Sequence, residues 1–476
     1  MSEETGTRAV VLGGSIAGLF AARVLSEAYD EVQIVDRDKL VGVREPRRRC
    51  PQTYQANGLQ ARGAHIMEEF FPGITQDLVD DGVPAGDMSG TVRWYARGHR
   101  LKQINGDLIA LGVLRPTLEW HIRERVQQFP NVVFVEEHDI LGLVATADNS
   151  RITGVRVQAR GEKTEKVIDA DLVVDATGRG SRTPVWLEEL GYDRPEEERK
   201  KLDLVYITQH FKLREGADPF QGDTAINQIA HPGLPRGNVF FKTDGGLLEL
   251  TTYGLLGDHP PTDQEGVYAW IRSLGAKDVY ETLRYADPVD EPVPFRFPTT
   301  LRRHYQKLER FPTGLLVTGD AVTCFNPVYA GGMSVAALCA LTMRDHLHSG
   351  AAPVPQDFFR DLARDAIDAQ WEMTNSIDLS FPGVVGERPL KWHVGNFFLK
   401  RMQIAATRDA KVTLAYFKAA SLTVPVQSLM RPGLVLRVLA KSVLGPSKES
   451  REPYDWKAPA DVEPVFDHVT ELPQAA

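Results

Sequence analysis

The sequence predicts an α/β protein in which a parallel, dinucleotide-type sheet is interrupted by an antiparallel β domain and followed by a helical C-terminal region. Three observations carry this. Residues 7–36 alternate strand, glycine turn, helix and strand; the stretch from about Gly191 to Pro298 switches to longer alternating strands; Gly314–Thr318 then reads as a buried strand ahead of a helix from about Gly332 to Leu347. At 476 residues the chain has room for two or three structural units. The expected division is 1–75, 100–190 and 310–350 for the discontinuous nucleotide domain and 76–99 with 191–309 for a substrate domain. Residues 351–476 form the helical region, ending in a loosely attached tail rich in Pro and acids.

Composition narrows the class. With 42% hydrophobic and 25% charged residues the chain matches ordinary globular proteins, and a net charge of −9 gives no whole-chain reason to bind nucleic acid. Cys50, Cys324 and Cys339 make neither a CxxC pair nor an even disulfide framework, which fits a reducing compartment and leaves no structural zinc site; no metal is expected. No basic and apolar leader precedes the first strand, and the longest apolar stretch, Met333–Met343, is about half of what a spanning helix needs. A cytoplasmic protein is expected.

The individual elements follow from periodicity and turn residues. Ala9–Leu12 is a strand, Leu19–Ala28 a helix and Val32–Asp36 a second strand. A helix over Thr117–Gln128 leads into strands near Val132–Glu136, Leu141–Ala145, Ile152–Gln158 and Val167–Val174, expected to flank and extend the first sheet. Asp203–Leu213 is the clearest strand of the second domain, with Val205, Ile207, Phe211 and Leu213 on one face and Tyr206, Thr208 and His210 on the other; the sequence does not decide which face meets a substrate. Val239–Lys242 and Leu247–Tyr253 are joined through Thr243-Asp244-Gly245-Gly246.

A chain that turns sharply after a strand and lets a pyrophosphate approach its N–H groups needs residues with small side chains at a helix N-terminus. Gly13, Ser15 and Gly18 have that spacing, with Ser15 where a second glycine is usual; its hydroxyl can hydrogen-bond phosphate. Asp36, 23 residues beyond Gly13 at a strand end, can accept hydrogen bonds from a ribose diol and would repel a 2′-phosphate. The candidate nucleotide contacts here are Gly13, Ser15, Ile16, Ala17, Gly18, Asp36 and Arg37.

The segment Gly319-Asp320-Ala321-Val322-Thr323-Cys324-Phe325-Asn326-Pro327-Val328-Tyr329-Ala330-Gly331-Gly332 makes the reading specific. It resembles the GD motif of the single-component FAD-dependent monooxygenases, the para-hydroxybenzoate hydroxylase-like aromatic hydroxylases and olefin epoxidases. The resemblance implies a Rossmann-like FAD-binding domain. It places Asp320 on the ribityl chain, and Pro327, Gly331 and Gly332 along the flavin ring, with Gly319 and Met333 beside them. Thr323, Ala330 and Ser334 depart from the family's commonest His, Gly and Asn. Ala176-Thr177-Gly178 resembles the family's central loop, with Thr177 in place of an Asp linked to FAD and nicotinamide use. Arg47 and Arg115 stand where the family places arginines near the pyrophosphate, a role the guanidinium fork suits. Asn326, Pro327 and Gly331 are the candidates for the oxygen-transfer environment. Pro51, Gln52, Gln55 and Asn57 occupy a stretch where the olefin epoxidases carry imidazoles, which argues against copying a substrate from them.

With one dinucleotide fingerprint, electron donor and substrate must share one flavin. The resemblance implies reduction by NADPH or NADH, addition of O2 at flavin C4a, and transfer of one oxygen atom to an apolar or aromatic small molecule by hydroxylation or epoxidation. An FAD-dependent reductase or dehydrogenase of a small hydrophobic molecule needs the same FAD contacts and stays open. A flavin halogenase is disfavoured, because no two of the seven tryptophans are two positions apart and the Trp-x-Trp-x-Ile-Pro pattern is missing. The basic amphipathic segment 434–444 is expected to pack on the protein body, with membrane-surface contact as its other use.

Overall fold

The computed structural model describes residues 6–348, 350, 352–451, 455–467 and 469. Its organising element is a five-stranded sheet in the order Leu315–Val317, Leu172–Asp175, Arg8–Leu12, Glu31–Val35, Val132–Val135, parallel throughout. Strands covered on both faces must be apolar along their length. Ala9–Leu12, Leu172–Val174 and Leu315–Val317 accordingly lie in the largest core, packed with the helices Ile16–Leu25 and Gly332–Leu347. The α/β class is therefore as the sequence predicts.

Two expectations for this region need correction. The stretch Val167–Val174 is two strands, Glu165–Asp169 and Leu172–Asp175, which belong to different sheets. The break falls at Ala170-Asp171, where the Asp171 carboxylate accepts the backbone N–H groups of Thr7 (2.8 Å) and Arg8 (3.0 Å) and so ties the switch point to the first strand. In consequence His138–Ala145, Ile152–Ala159 and Glu165–Asp169 form their own antiparallel sheet and do not extend the parallel one. Alternation alone does not report such a change of sheet, because the apolar Val167 and Ile168 run into the apolar Leu172–Val174 with only Asp169-Ala170-Asp171 between them.

A second large sheet contains Lys201–Leu213 one strand in from its edge, paired with Leu247–Gly254, Ala286–Pro288 and Val293–Thr299, and continues through Arg236–Thr243 and Ala225–Ile229 to Val92–Ala96. The hairpin at Asp244–Gly246 has both glycines in the left-handed region, φ 71° and 69°, which is why Gly245 and Gly246 sit there. Beyond Pro355 the chain is helical, including Asp368–Asp378, Leu390–Ala406, Ala410–Ala420 and Pro432–Ser442. No helix among the described residues is long and apolar enough to cross a membrane. The tail is less loose than its composition suggests: Phe466 stacks on Tyr268 with ring centroids 4.2 Å apart, and Val469 is buried in the second-sheet core. Two apolar side chains outweigh the surrounding Pro and acids.

The faces of Lys201–Leu213 are now distinguished. Val205, Ile207 and Phe211 pack against Val267, Trp270, Ile271 and Val279 of two short helices. The opposite face meets the segment ahead of the helix Ala61–Phe70, since Thr208 Oγ1 donates to Gln55 Oε1 at 2.8 Å. On it Glu249, 2% exposed, lies across the ladder from His210, whose Nδ1 is 2.6 Å from Asp290 Oδ2. Burial opposes the imidazolium of His210, but Asp290 and Glu249 outweigh it and hold that pKa above its ordinary value. Burial also pushes the Glu249 carboxyl up to about 7, with His210 working against the rise and Asp244 and Asp290 with it.

The folded chain therefore keeps the Glu249 proton to higher pH than the unfolded chain does. The associated stability is complete below the ordinary carboxylate range and is lost as pH rises through about 7. Glu249→Gln is expected to raise the unfolding free energy at pH 8 by about 3 kcal/mol and to leave it nearly unchanged at pH 4.5. Urea denaturation at the two pH values checks this; equal effects at both would assign the change to packing.

Candidate functional site

Because the sheet is parallel, the carboxyl ends of Leu315–Val317, Leu172–Asp175 and Arg8–Leu12 lie side by side, the place where open α/β sheets hold ligands. The loops that leave them are the three motifs found in the sequence. Their approach is too close for side chains. A Cβ on Gly13 (φ 99°) would stand 2.7 Å from the Ala176 carbonyl oxygen, and one on Gly18 would stand 1.8 Å from the Gly13 carbonyl oxygen. A Cβ on Gly319 (φ 60°) would be 2.7 Å from the Ala17 methyl. Ile16 is buried beneath this turn.

Asp320 sits where the loops meet. It is solvent-accessible at its surface yet ringed by protein, and none of the described residues donates a hydrogen bond to its carboxylate. Gly178 and Gly332 leave the space around it open: a Cβ on either would come 3.9 Å from an Asp320 side-chain atom. Burial holds its carboxyl above the usual range, opposed by Arg115 and Arg179. Arg303 bolts two of the loops together by donating to the carbonyls of Ala321 (2.8 Å) and Arg179 (3.1 Å). Thr177 is turned toward its own strand, its hydroxyl donating to Asp175 Oδ1 at 2.6 Å.

At the other end of the glycine turn lies a cationic cluster that the sequence reading only partly found. Glu119, 2% exposed, accepts from Arg47 Nη2 (2.7 Å) and Ser15 Oγ (2.7 Å), while Arg115 and Arg123 each approach it to 3.5 Å. Burial acts to raise the Glu119 pKa, but the three arginines and the Ser15 hydroxyl overcome it and hold the carboxyl below its usual range. Arg115 also donates to Ser15 Oγ (3.1 Å) and to Asn57 Oδ1 (3.3 Å). Of the run Arg47–Arg49 only Arg47 is buried. Glu119 and Arg123 went unremarked, although Arg115, Glu119 and Arg123 fall four apart on one helix face, a spacing visible in the sequence.

Asp36 accepts from Gly14 N (2.7 Å) through Oδ2 and from Asp38 N (2.8 Å) through Oδ1; burial pushes its pKa up against the pull of Arg47. Arg37 does not join the cluster: it is exposed and lies 4.0 Å from Asp139 on the far side of the strand end.

The third loop is held from behind by the C-terminal region. Asn326 is 1% exposed; its Nδ2 donates to Asp378 Oδ1 (2.8 Å) and its Oδ1 accepts from Val328 N (3.1 Å), so its amide braces the turn over Pro327–Tyr329. Tyr329 Oη donates to the same Asp378 oxygen at 2.8 Å. Burial pushes the Asp378 carboxyl up to about 6, against the hydrogen bonds of Asn326 and Tyr329. Ala330 takes the left-handed conformation (φ 53°) that the family's glycine would adopt freely, and Gly331 leaves room for Gln370, whose Nε2 would be 2.2 Å from a Cβ there. Gly332 and Met333 open the helix that runs back under the sheet. No pattern in the sequence connected Asp378 or Gln370 to this loop. A cavity of about 460 Å³ lined by Asp87, Thr91, Asn105 and Leu108 shares no residue with these loops.

No protein-family model matches the chain. It is 32% identical over 469 residues to Protein Rv3254 of Mycobacterium tuberculosis (strain ATCC 25618 / H37Rv), covering 93% of this chain and 95% of that protein. Among solved structures it is similar to a flavoprotein/dehydrogenase from Cytophaga hutchinsonii (TM-score 0.64, 13% identity, 92% of this chain and 98% of that one). It is also similar to the flavin-dependent brominase Bmp2 (TM-score 0.62, 13% identity, 92% and 100%) and to PqsL, a probable FAD-dependent monooxygenase from Pseudomonas aeruginosa (TM-score 0.60, 15% identity, 79% and 99%). The chain thus belongs to the family of Protein Rv3254 and has the fold of the flavin-dependent monooxygenases.

Proposed function

We propose that this chain is an FAD-dependent monooxygenase that inserts one oxygen atom from O2 into an apolar or aromatic small molecule, with NADPH or NADH as the reductant. The observation that carries the reading is the convergence of three glycine loops on an unpaired, protein-ringed Asp320 carboxylate. The residues fit FAD along its length. Gly13 and Gly18 form a turn that side chains would block, Arg47 and Arg115 supply guanidinium groups beside it, and Asp36 stands at the adjacent strand end for ribose hydroxyls. Asp320 offers acceptors for a polyol chain. Gly319, Thr177 and Gly178 line its approach, and Pro327, Gly331 and Gly332 leave a shallow wall for a flat ring.

When bound, FAD supplies redox and oxygen-transfer chemistry that no side chain here has. The protein's part is to hold, orient and exclude water. The N-terminus of Gly332–Leu347 faces Asp320 and would favour negative charge on a ring placed there, a contribution of roughly 0.3–2 kcal/mol. Val92, Ala225 and Phe241 form an apolar cluster joined by Ala56, Trp94 and Val239, and Val328 of the loop packs against the cluster of Tyr206 and Tyr253, which Val239 also joins. This wall suits an apolar or aromatic substrate, with Thr208 and Thr251 as its polar points. Asn326 acts in this reading as a brace for the loop.

Fold alone does not select the reaction, because the similar structures include a dehydrogenase and a brominase. The missing tryptophan pattern weighs against halogenation, whereas a reductase or dehydrogenase of a small hydrophobic molecule would use the same apolar wall and is separated from oxygen insertion by how the reduced protein reacts with O2.

Two outcomes follow. Asp320→Ala is expected to weaken FAD binding by roughly 10- to 100-fold, the loss of charge-assisted hydrogen bonds. Because those bonds favour the ionised carboxyl and burial raises its pKa, FAD affinity of the unaltered protein is expected to fall on acidification, and Asp320→Asn to abolish that dependence. Fluorescence titration of apoprotein with FAD across pH reads both; unchanged affinity in Asp320→Ala, or a retained pH dependence in Asp320→Asn, overturns the assignment. Second, anaerobically reduced protein mixed rapidly with oxygenated buffer is expected to pass through a spectrum unlike reduced or oxidised flavin. Direct reoxidation, repeated with aromatic and alkene ligands present, would favour the reductase or dehydrogenase reading.

A further inference from the structure

We infer that the outer face of the C-terminal helices is a docking surface for an anionic membrane. The helices Leu390–Ala406 and Pro432–Ser442 lie against one another on a shared core: Phe398, Met402, Ala405 and Ala406 of the first and Val438 of the second are buried together with Val412 and Phe417. The segment expected to pack on the protein body does so along one side only. Both helices leave further apolar side chains exposed. On the first helix Leu390, Val394 and Phe397 fall at spacings of four and three and are 79%, 54% and 53% exposed. On the second, Leu436, Leu439 and Val443 fall at three and four and are 69%, 39% and 77% exposed. Isolated exposed apolar residues need no explanation, but two packed helices that each expose three of them at helical spacing do.

Charge identifies the occupant. Between Leu390 and Ser442 the chain carries nine Lys and Arg against the single acid Asp409, while the whole chain stands at −9. Asp409 is already paired with Arg437 at 2.6 Å. Lys391, Lys400, Lys411, Arg431 and Lys441 are exposed and make no salt bridge among the described residues. A second copy of the chain would bring the same cations against one another, so self-association is opposed by the charge that an anionic lipid surface attracts. Exposed apolar side chains on helices that also carry unpaired exposed cations are the features of an interfacial helix that lies on a membrane without spanning it. This inference does not depend on the flavin reading.

The test is co-sedimentation of the full-length protein with vesicles of phosphatidylcholine alone and of phosphatidylcholine mixed with phosphatidylglycerol. Binding is expected to the mixed vesicles at low salt, to weaken at high salt, and to be absent from pure phosphatidylcholine. Leu436→Glu combined with Val443→Glu should reduce partitioning more than tenfold, and Arg431→Gln or Lys441→Gln on the order of fivefold each, with the unfolding midpoint unchanged because these side chains are exposed. Failure to bind the mixed vesicles overturns the inference. So does a dimer in sedimentation equilibrium that the double substitution dissociates, which would give the face to a second copy.

Discussion

The architecture depends on how closely three backbone loops approach at the carboxyl end of the parallel sheet. Gly13 passes the Ala176 carbonyl, Gly18 passes the Gly13 carbonyl and Gly319 passes Ala17, each at a distance that excludes a side chain. Steric exclusion of this kind has little tolerance at the first two positions, where the atoms that would have to yield are backbone carbonyl oxygens of residues themselves tied to the sheet: Gly13 N donates to Val35 O at 2.8 Å, and Ala176 N to Leu12 O at 2.9 Å. The register of the sheet and the geometry of the site are therefore one constraint. A shift of any of the three strands would bring its glycine out of alignment, and Asp320 would no longer sit at their meeting point.

That constraint explains which parts of the protein could be read in advance. Gly13, Gly18, Gly178, Gly319 and Asp320 lie in short segments whose local chemistry specifies their conformation, so three stretches far apart in sequence could be assigned to one site. The helix Gly332–Leu347 matched its expected span because its start is a glycine turn and its body is apolar. What was not legible depends on partners distant in the chain. The break at Ala170-Asp171 is set by N–H groups of Thr7 and Arg8, and the orientation of Asn326 by Asp378 on a helix of the C-terminal region. A local pattern carries no record of either. The preferred face of Lys201–Leu213 was undecidable for a related reason: both faces are buried, one against helices and the other against the segment that carries Gln55.

The tail and the C-terminal helices show opposite failures of composition as a guide. Pro and acidic residues dominate the end of the chain, yet Phe466 and Val469 anchor it, since burial of one or two large apolar groups suffices to dock a short segment. The helices from Leu390 onward have enough apolar surface for two faces, and only one finds a place in the core. Counting apolar residues predicts burial only as far as the rest of the protein offers a surface to receive them.

The cluster around Glu119 shows how a departure from a motif can be a co-adapted feature. Three guanidinium groups gathered beside one glycine turn would repel one another in the folded protein. Glu119 offsets that repulsion from within the helix that carries two of them, and its burial without a partner would be prohibitive, so carboxylate and arginines require each other. Ser15 belongs to this arrangement. Its hydroxyl donates to Glu119 and accepts from Arg115, links a glycine at that position could not make. The serine costs some room at the turn and in return fixes the arginine that the proposed pyrophosphate would meet, so the motif's one irregular position is explained by a residue 104 positions away.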